Sequence, residues 1–384
     1  MKTLTTTEEL REFCNRAAQH PYVTVDTEFL RERTYYSKLC LLQIAYPGEG
    51  EETAVLIDPL AEGIDLQPVY DLCSNTSVVK VFHAARQDVE IFYHDGGVIP
   101  EPLFDTQVAA MVCGFGEQVG YETLVKRIAR ASLDKSSRFT DWSRRPLTDA
   151  QLSYALADVT HLRVIYEYLS AELEKAGRKA WVEEEIQVLT DPETYISRPE
   201  EAWKRVKTRT NSGKFLGVVA ALAEFRERYA QERNIPRSRV FKDDALVELA
   251  STKPRNAADL SRSRLLLREA RKGEIADGIL AAVEKGIATP PEAVPRKEEA
   301  DKSNVSQALA ELLRVLLKAK AEQSGVAQKL IATTAELDAI AAGERDLMAL
   351  KGWRRKVFGE DALRLCEGGL ALSADGGAIR IVEL

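Results

Sequence analysis

Three apolar runs near the N-terminus constrain the fold more than any other feature of the chain: YVTVDTEFL from Tyr22, KLCLLQIAY from Lys38 and TAVLIDP from Thr53. Each is short and mainly apolar, which reads as a strand. Only short turns separate them, so the spacing predicts an antiparallel meander. VVKVFH, from Val78, reads as a fourth buried strand, and AARQDVEIFYHD follows at once as a helix. That order demands a crossover and a parallel neighbour. Helices are expected over TTEELREFCNRAAQH, LQPVYDLCSN, FDTQVAAMVCG and YETLVKRIA, with a long one from Asp149 to about Lys175. Capping boxes are expected at Thr6 with Glu9 and at Thr148 with Gln151. Antiparallel and parallel strands with helices on both faces describe a mixed α/β domain.

The first run also carries an electrostatic conflict. Asp26 and Glu28 are two residues apart, so both carboxylates leave the strand on one face. Val25, Thr27 and Phe29 point the other way. Two like charges on an apolar strand are destabilising unless a cation sits between them. Asp88 lies in the first turns of the helix after VVKVFH, at the sheet edge where α/β ligands bind. Tyr154 and Asp158 are four apart on the long helix and share a face. Four carboxylates on three elements suit hard divalent cations. Two such ions about 4 Å apart can hold an in-line phosphoryl displacement, with Tyr154 orienting the attacking water. Each residue alone has a plainer reading: a solvated strand edge for Asp26 and Glu28, a surface helix acid for Asp88, core packing for Tyr154. Only together do they point to a metal site.

Beyond about residue 195 the strand signals nearly stop. SRPEEAWKRVKTRTNSGK reads as a polar, locally basic connector, and helical periodicity runs from Phe215 to about Gly286. GIATPPEAVPRKEEADKSN reads as a linker, with a second helical region from Val305. The two regions align as a diverged repeat offset by roughly 90 residues. Leu222, Phe225, Ile235, Val240, Leu246 and Leu249 fall on Leu313, Leu316, Val326, Ile331, Leu337 and Ile340. ALSADGGAIRIVEL is either a small hairpin about its D-G-G turn or a frayed tail. The 384 residues therefore divide into domains at 1–195, 210–288 and 303–384.

The net charge of −7 neither marks nor excludes a nucleic-acid binder, because basic patches act locally. Five cysteines without C-x-x-C spacing and four scattered histidines argue against structural zinc and for reduced thiols in the cytoplasm. The N-terminus has no apolar h-region, and no run is long enough to span a membrane.

VDTEF, HAARQD and YALAD together resemble the three exonuclease motifs of the DEDD superfamily, and Tyr154 in Y-x-x-x-D points to its DEDDy branch. DTEFLRERTYYSKLCLLQIA, LIDPL, FHAARQDVEIF, DTQVAAMVCG and DKSSRFTDWSRRPLTDAQLSYALADV are similar to the ribonuclease D family over about the first 180 residues. The helical regions resemble its paired HRDC modules, with RERYAQERNIPRSRVFKDDALVELA the clearest match and LKGWRRKVFGEDAL more diverged. The resemblance implies an RNase H-like mixed-sheet exonuclease domain followed by two small all-α HRDC-like domains. It implies a 3′→5′ exoribonuclease that releases nucleoside 5′-monophosphates with two divalent ions, Mg²⁺ or Mn²⁺. Carried over by motif, Asp26 bridges the ions, Glu28 and Asp158 complete the nucleophile-side one, and Asp88 serves the leaving-group side. His83, Lys135, Trp142 and Arg145 are carried as substrate-binding residues, beside plainer readings: a helix-capping histidine, a solvated loop lysine, a core tryptophan and an arginine that supports the loop fold. Arg226, Arg228, Arg237 and Arg239 are expected either as a basic stripe on the first module or as a solvated helix face. The expected partner is RNA with a single-stranded 3′ end, including tRNA precursors, bound by a monomer. A DNA-directed 3′→5′ exonuclease and an RNA-binding protein with a vestigial site are the competing readings.

Overall fold

The computed structural model describes residues 2–134, 137, 140–208, 210, 212–290, 292–294, 296 and 306–384. Lys135, Val305 and most of the expected 286–304 linker lie outside them.

The N-terminal unit contains β1 (Thr3–Leu4), α1 (Thr7–Ala17), β2 (Tyr22–Leu30), β3 (Lys38–Ala45), β4 (Ala54–Ile57), α2 (Gln67–Ser74), β5 (Val79–Phe82), α3 (Arg86–Gly96) and β6 (Leu103–Asp105). There follow α4 (Thr106–Val112), α5 (Tyr121–Leu124), α6 (Asp149–Ala176) and α7 (Lys179–Thr190). Among the described residues six strands form one sheet, ordered β1-β4-β3-β2-β5-β6. The expected meander is there: β2 with β3 and β3 with β4 are antiparallel. So is the expected parallel neighbour, β5 against β2. Two strands extend the expectation: β1, parallel to β4, and β6, parallel to β5. Phe104 and Asp105 were expected to open a helix; with Leu103 they complete the sheet instead, and Asp105 then caps α4 by accepting from Gln107 N–H at 2.7 Å.

The sheet ends unevenly, and that creates the site. β2 pairs with β5 only from Tyr22 to Thr24, so Asp26 to Leu30 run on past the end of the parallel part. A register shift between Glu28 and Phe29 bends this overhang. Pleat alternation puts Thr24, Asp26 and Glu28 on the face covered by α6. Val23 and Val25 face the main core with Phe13, Val89 and Phe92.

The two predicted caps differ. Thr148 and Gln151 form the complete reciprocal box at the start of α6. At α1 Thr6 Oγ1 accepts from Glu9 N–H, but Glu9 bonds back to the Thr6 hydroxyl rather than to its backbone.

The first helical unit comprises α8 (Gly213–Glu232), α9 (Arg237–Val240), α10 (Asp243–Thr252), α11 (Ala257–Ser261) and α12 (Gly273–Ala288). Its core begins before the expected boundary at 210: Pro199–Arg205 is a 3-10 turn, and Ala202, Trp203 and Val206 are buried against α8. The polar composition of this stretch hides three anchoring side chains. The second helical unit holds α13 (Gln307–Ser324), α14 (Gln328–Ile331), α15 (Thr334–Ala342), α16 (Gly352–Arg354) and α17 (Glu360–Cys366). α9 and α10 begin at Arg237 and Asp243, α14 and α15 at Gln328 and Thr334, a common offset of 91 residues. The chain closes in a hairpin, β7 (Leu370–Asp375) and β8 (Ala378–Glu383), about a two-residue turn where Gly376 takes φ +66°.

Each helical unit docks on the nuclease unit through a few committed side chains. Glu227 of α8 is fully buried. It accepts from Arg237 Nε at 2.5 Å and Nη2 at 2.8 Å, from Arg205 Nη2 at 2.8 Å, and from the Tyr35 hydroxyl of the loop after β2. Burial pushes Glu227 up, but the hydrogen bonds from Arg237 and Tyr35 outweigh it and hold the carboxyl below its usual range. Asn234 Oδ1 accepts from both Tyr35 N–H and Tyr36 N–H at 3.0 Å. The second unit stacks Trp353 on Trp181 of α7, centroids 4.6 Å apart, and pairs Arg354 with Glu184 and Glu185. Gly114 must stay bare there, because a Cβ would come 2.5 Å from Gly325 O.

Removing one partner of a buried, hydrogen-bonded ion cluster costs about 3–5 kcal/mol. Glu227→Ala is therefore expected to lower the thermal midpoint and to expose the buried anchor of Ala202, Trp203 and Val206 to limited proteolysis. A cleavage pattern identical to that of the parent chain would refute this account of the dock.

Candidate active site

Local folding brings the acids in from two sides of the sheet. α6 carries Asp158, and its register on β2 is set by hydrogen bonds to its own carbonyls. Thr24 Oγ1 donates to Val159 O at 2.8 Å, and the Tyr121 hydroxyl donates to Asp158 O at 2.7 Å and Ala157 O at 3.1 Å. Farther along, Arg163 Nη1 reaches Tyr46 O, Gly48 O and Thr53 Oγ1. Carboxylate oxygens of Asp26, Glu28 and Asp158 thereby lie within 4.8 Å of one another.

Asp88 arrives from the other side. It sits in the first turn of α3, buried, and accepts a short hydrogen bond from the Thr27 hydroxyl. Thr27 points away from Asp26 and Glu28, as the alternation predicts, and in doing so it holds the fourth acid. The approach of α3 is set by Asp105, which accepts from Ala84 N–H at 3.0 Å and Ala85 N–H at 2.8 Å while also capping α4. Ala84 takes φ +60°, a left-handed conformation that a residue with a Cβ adopts only under constraint.

All four acids, Tyr154 and His83 line one cavity of about 600 Å³. Burial first, then the neighbouring Asp158, pushes Asp26 well above the usual carboxylate range. Burial and then Asp26 do the same to Asp88. Oxygen-only donors, close spacing and mutually raised carboxyls are the chemistry of a hard divalent-cation site, so the residues fit the metal that the fold implies.

The remaining expected residues separate. His83 lines the cavity, with Nδ1 3.0 Å from Thr106 Oγ1 and its ring 5.5 Å from that of Tyr121. Burial holds its imidazole below the usual range. It does not cap α3, whose approach is fixed by Asp105 through the N–H groups of Ala84 and Ala85. Trp142 is only 2% exposed, so it offers no face for a base to stack on; it backs Tyr154, with ring centroids 6.2 Å apart. Arg145 spends its donors on the loop rather than on a substrate. Its Nε and Nη2 clamp Asp58 at 2.6 Å, and it also reaches the carbonyls of Cys40, Trp142 and Arg144. Lys135 lies outside the described residues, although Leu133, just before it, lines the cavity.

The expected basic stripe on the first helical unit is also broken up. Arg226 is buried, pairing with Asp243 and Phe241 O, and Arg237 is committed to Glu227. Arg228 bonds Glu224. Thr27, Asp105 and Tyr121 are the supporting residues that the sequence did not reveal. Only Asp105, as D-T-Q ahead of an apolar run, carried a readable helix-cap signal.

Comparison with known proteins agrees with this geometry. Residues 1–174 match the family model described as 3′-5′ exonuclease, and residues 215–283 match the HRDC domain. The chain is 63% identical over 383 residues to ribonuclease D of Jannaschia sp. (strain CCS1), covering all of this chain and 99% of the relative. It is 51% identical, over the full length of both chains, to that of Nitrobacter hamburgensis. Among solved structures, Escherichia coli RNase D, described as an exoribonuclease involved in structured RNA processing, superposes with a TM-score of 0.81 at 29% identity, covering 96% of this chain and 98% of that one. On identity sustained from end to end, the chain belongs to the ribonuclease D family.

Proposed function

We propose that this protein is a 3′→5′ exoribonuclease that trims structured RNAs, tRNA precursors among them, and releases nucleoside 5′-monophosphates. The observation that carries the reading is the convergence of Asp26, Glu28, Asp88, Asp158 and Tyr154 on one cavity, built from three elements that share no local sequence. Two Mg²⁺ or Mn²⁺ ions bound there would supply Lewis acidity at the attacking and the leaving oxygen. Asp26, central among the acids, would hold both. Glu28 and Asp158, on the α6 face, would complete the first, and Asp88, approaching from α3, would serve the second.

The protein's own part is positioning. Tyr154 would orient the attacking water, with Trp142 behind its ring limiting its movement. His83, tied to Thr106, would meet the terminal nucleotide at the rim. The second helical unit, with its 91-residue offset, is taken as a diverged copy of the first. No helix among the described residues is long and apolar enough to cross a membrane, and all five cysteines are free thiols. Both fit a cytoplasmic enzyme, which we take to act as a monomer.

The direct test uses matched RNA and DNA single strands labelled at the 5′ end, with Mg²⁺ or Mn²⁺. The reading expects a ladder shortening from the 3′ end of RNA; equal or faster degradation of DNA would defeat it.

Asp26→Asn should lower kcat about a thousandfold or more. It should also raise the thermal midpoint of the metal-free protein, because it removes one buried like charge. The sign follows from linkage. A carboxyl raised above its unfolded value of about 3.9 binds more protons when folded, so metal-free stability falls as pH rises from about 4 through the raised value. Calorimetry of both chains across that range should show a shallower fall for Asp26→Asn, and Mn²⁺ should stabilise the parent far more than the variant.

Tyr154→Phe keeps the ring against Trp142 and removes only the hydroxyl. The expected loss is about 10²-fold or more in kcat with KM nearly unchanged, measured under steady-state conditions on one oligoribonucleotide. A change confined to KM would remove Tyr154 from the chemistry.

A further inference from the structure

A second cavity, of about 690 Å³, opens beside the catalytic one, between the loop after β2, the start of α3 and the first helical unit. Gln87, in the first turn of α3, lines both cavities. Four arginines face the second cavity: Arg31 and Arg86 from the nuclease unit, Arg205 and Arg237 across from them. Two carboxylates oppose them. Glu90 pairs with Arg31 at 3.2 Å, and the buried Glu227 is shared by Arg205 and Arg237. The walls are thus net positive in a chain whose total charge is −7.

Aromatic rings interleave with these charges. The Arg237 guanidinium lies 4.9 Å from the Tyr35 ring centroid, and Tyr36 packs against His94 at 4.4 Å. The loop carrying both tyrosines is fixed by Asn234, so this wall is built before any ligand arrives. A positive groove with aromatic platforms is the chemistry that takes a single-stranded nucleic-acid backbone.

We propose that this cleft holds the phosphates of the nucleotides upstream of the scissile bond. A strand whose 3′ terminal nucleotide enters the catalytic cavity passes Gln87 and runs between Arg86 and the arginines of the first helical unit. The cleft therefore makes affinity depend on substrate length. The inference rests on the exoribonuclease reading and adds to it a site for the part of the RNA that is not cut.

Arg86 discriminates this from a purely structural role. Arg31, Arg205 and Arg237 each hold a carboxylate of the fold. Arg86 is exposed and makes no hydrogen bond or ion pair among the described residues.

The test compares full-length parent, Arg86→Ala and Arg86→Lys on a diadenylate with a 5′-hydroxyl end, which has no phosphate upstream of the scissile one, and on a ten-nucleotide oligoadenylate. For the longer substrate, Arg86→Ala should raise KM about three- to tenfold with kcat unchanged, and should flatten the dependence of log KM on log salt by about 0.7. Arg86→Lys should keep most of the parent affinity, and diadenylate kinetics should be the same for all three. An unchanged KM on the longer substrate, or an equal rise on both, overturns the cleft while parent activity stands. A parent protein that hydrolyses neither substrate overturns the nuclease reading on which the cleft depends.

Discussion

Carboxylates that repel one another are held together here by hydrogen bonds made on the far side of the elements that carry them. Thr24 and Tyr121 fix the carbonyls of α6 at Ala157, Asp158 and Val159, which places Asp158 over Asp26 and Glu28. Thr27 holds Asp88 from the opposite face of the same strand. None of these donors needs to touch a substrate. Their work is to keep a negatively charged cavity from relaxing outward, and the raised carboxyls of Asp26 and Asp88 show how much charge the fold concentrates there. A divalent cation resolves the conflict, so the site is least comfortable when empty and most stable when loaded.

The helical units inherit their placement from this centre. The loop that leaves β2 just beyond Glu28 carries Tyr35 into the buried Glu227 cluster. The first helical unit is thus anchored to the strand that bears two of the acids. The second unit is tied to the back of the domain, through α7 and the turn at Gly114. One unit borders the entrance to the active site, and the other braces the scaffold behind it.

Asp26, Glu28, Tyr154 and Asp158 were legible as pairs because part of their signal is local, whereas Asp88 was legible only through the family resemblance. D-x-E in a strand and Y-x-x-x-D in a helix each fix the relative direction of two side chains within one element. The meander and the parallel crossover were legible for the same reason, since short turns leave little topological choice. Trp142 and Arg145 each kept two readings in the sequence, because residue type states what a side chain can do and not where its atoms are spent. The tryptophan is enclosed behind Tyr154, and the arginine is exhausted on Asp58 and three carbonyls. Arg226 and Arg237 show the same on the first helical unit, where apparent surface charge is consumed by buried partners. Ala202, Trp203 and Val206 err in the other direction, as core residues inside a stretch whose composition reads as a polar tether.

By itself the sequence determined most of the strands and helices and the pairing of the meander, through periodicity and turn length. It pointed to the four acids and Tyr154 through two local spacings together with the family resemblance. Only the tertiary structure decided which long-range donors align α6 on β2, that Asp105 caps α4 while holding the turn before α3, and that the loop after β2 meets the first helical unit to enclose an arginine-lined cleft. Such contacts join residues tens to hundreds of positions apart. Their partners are chosen by packing, and no local pattern encodes them.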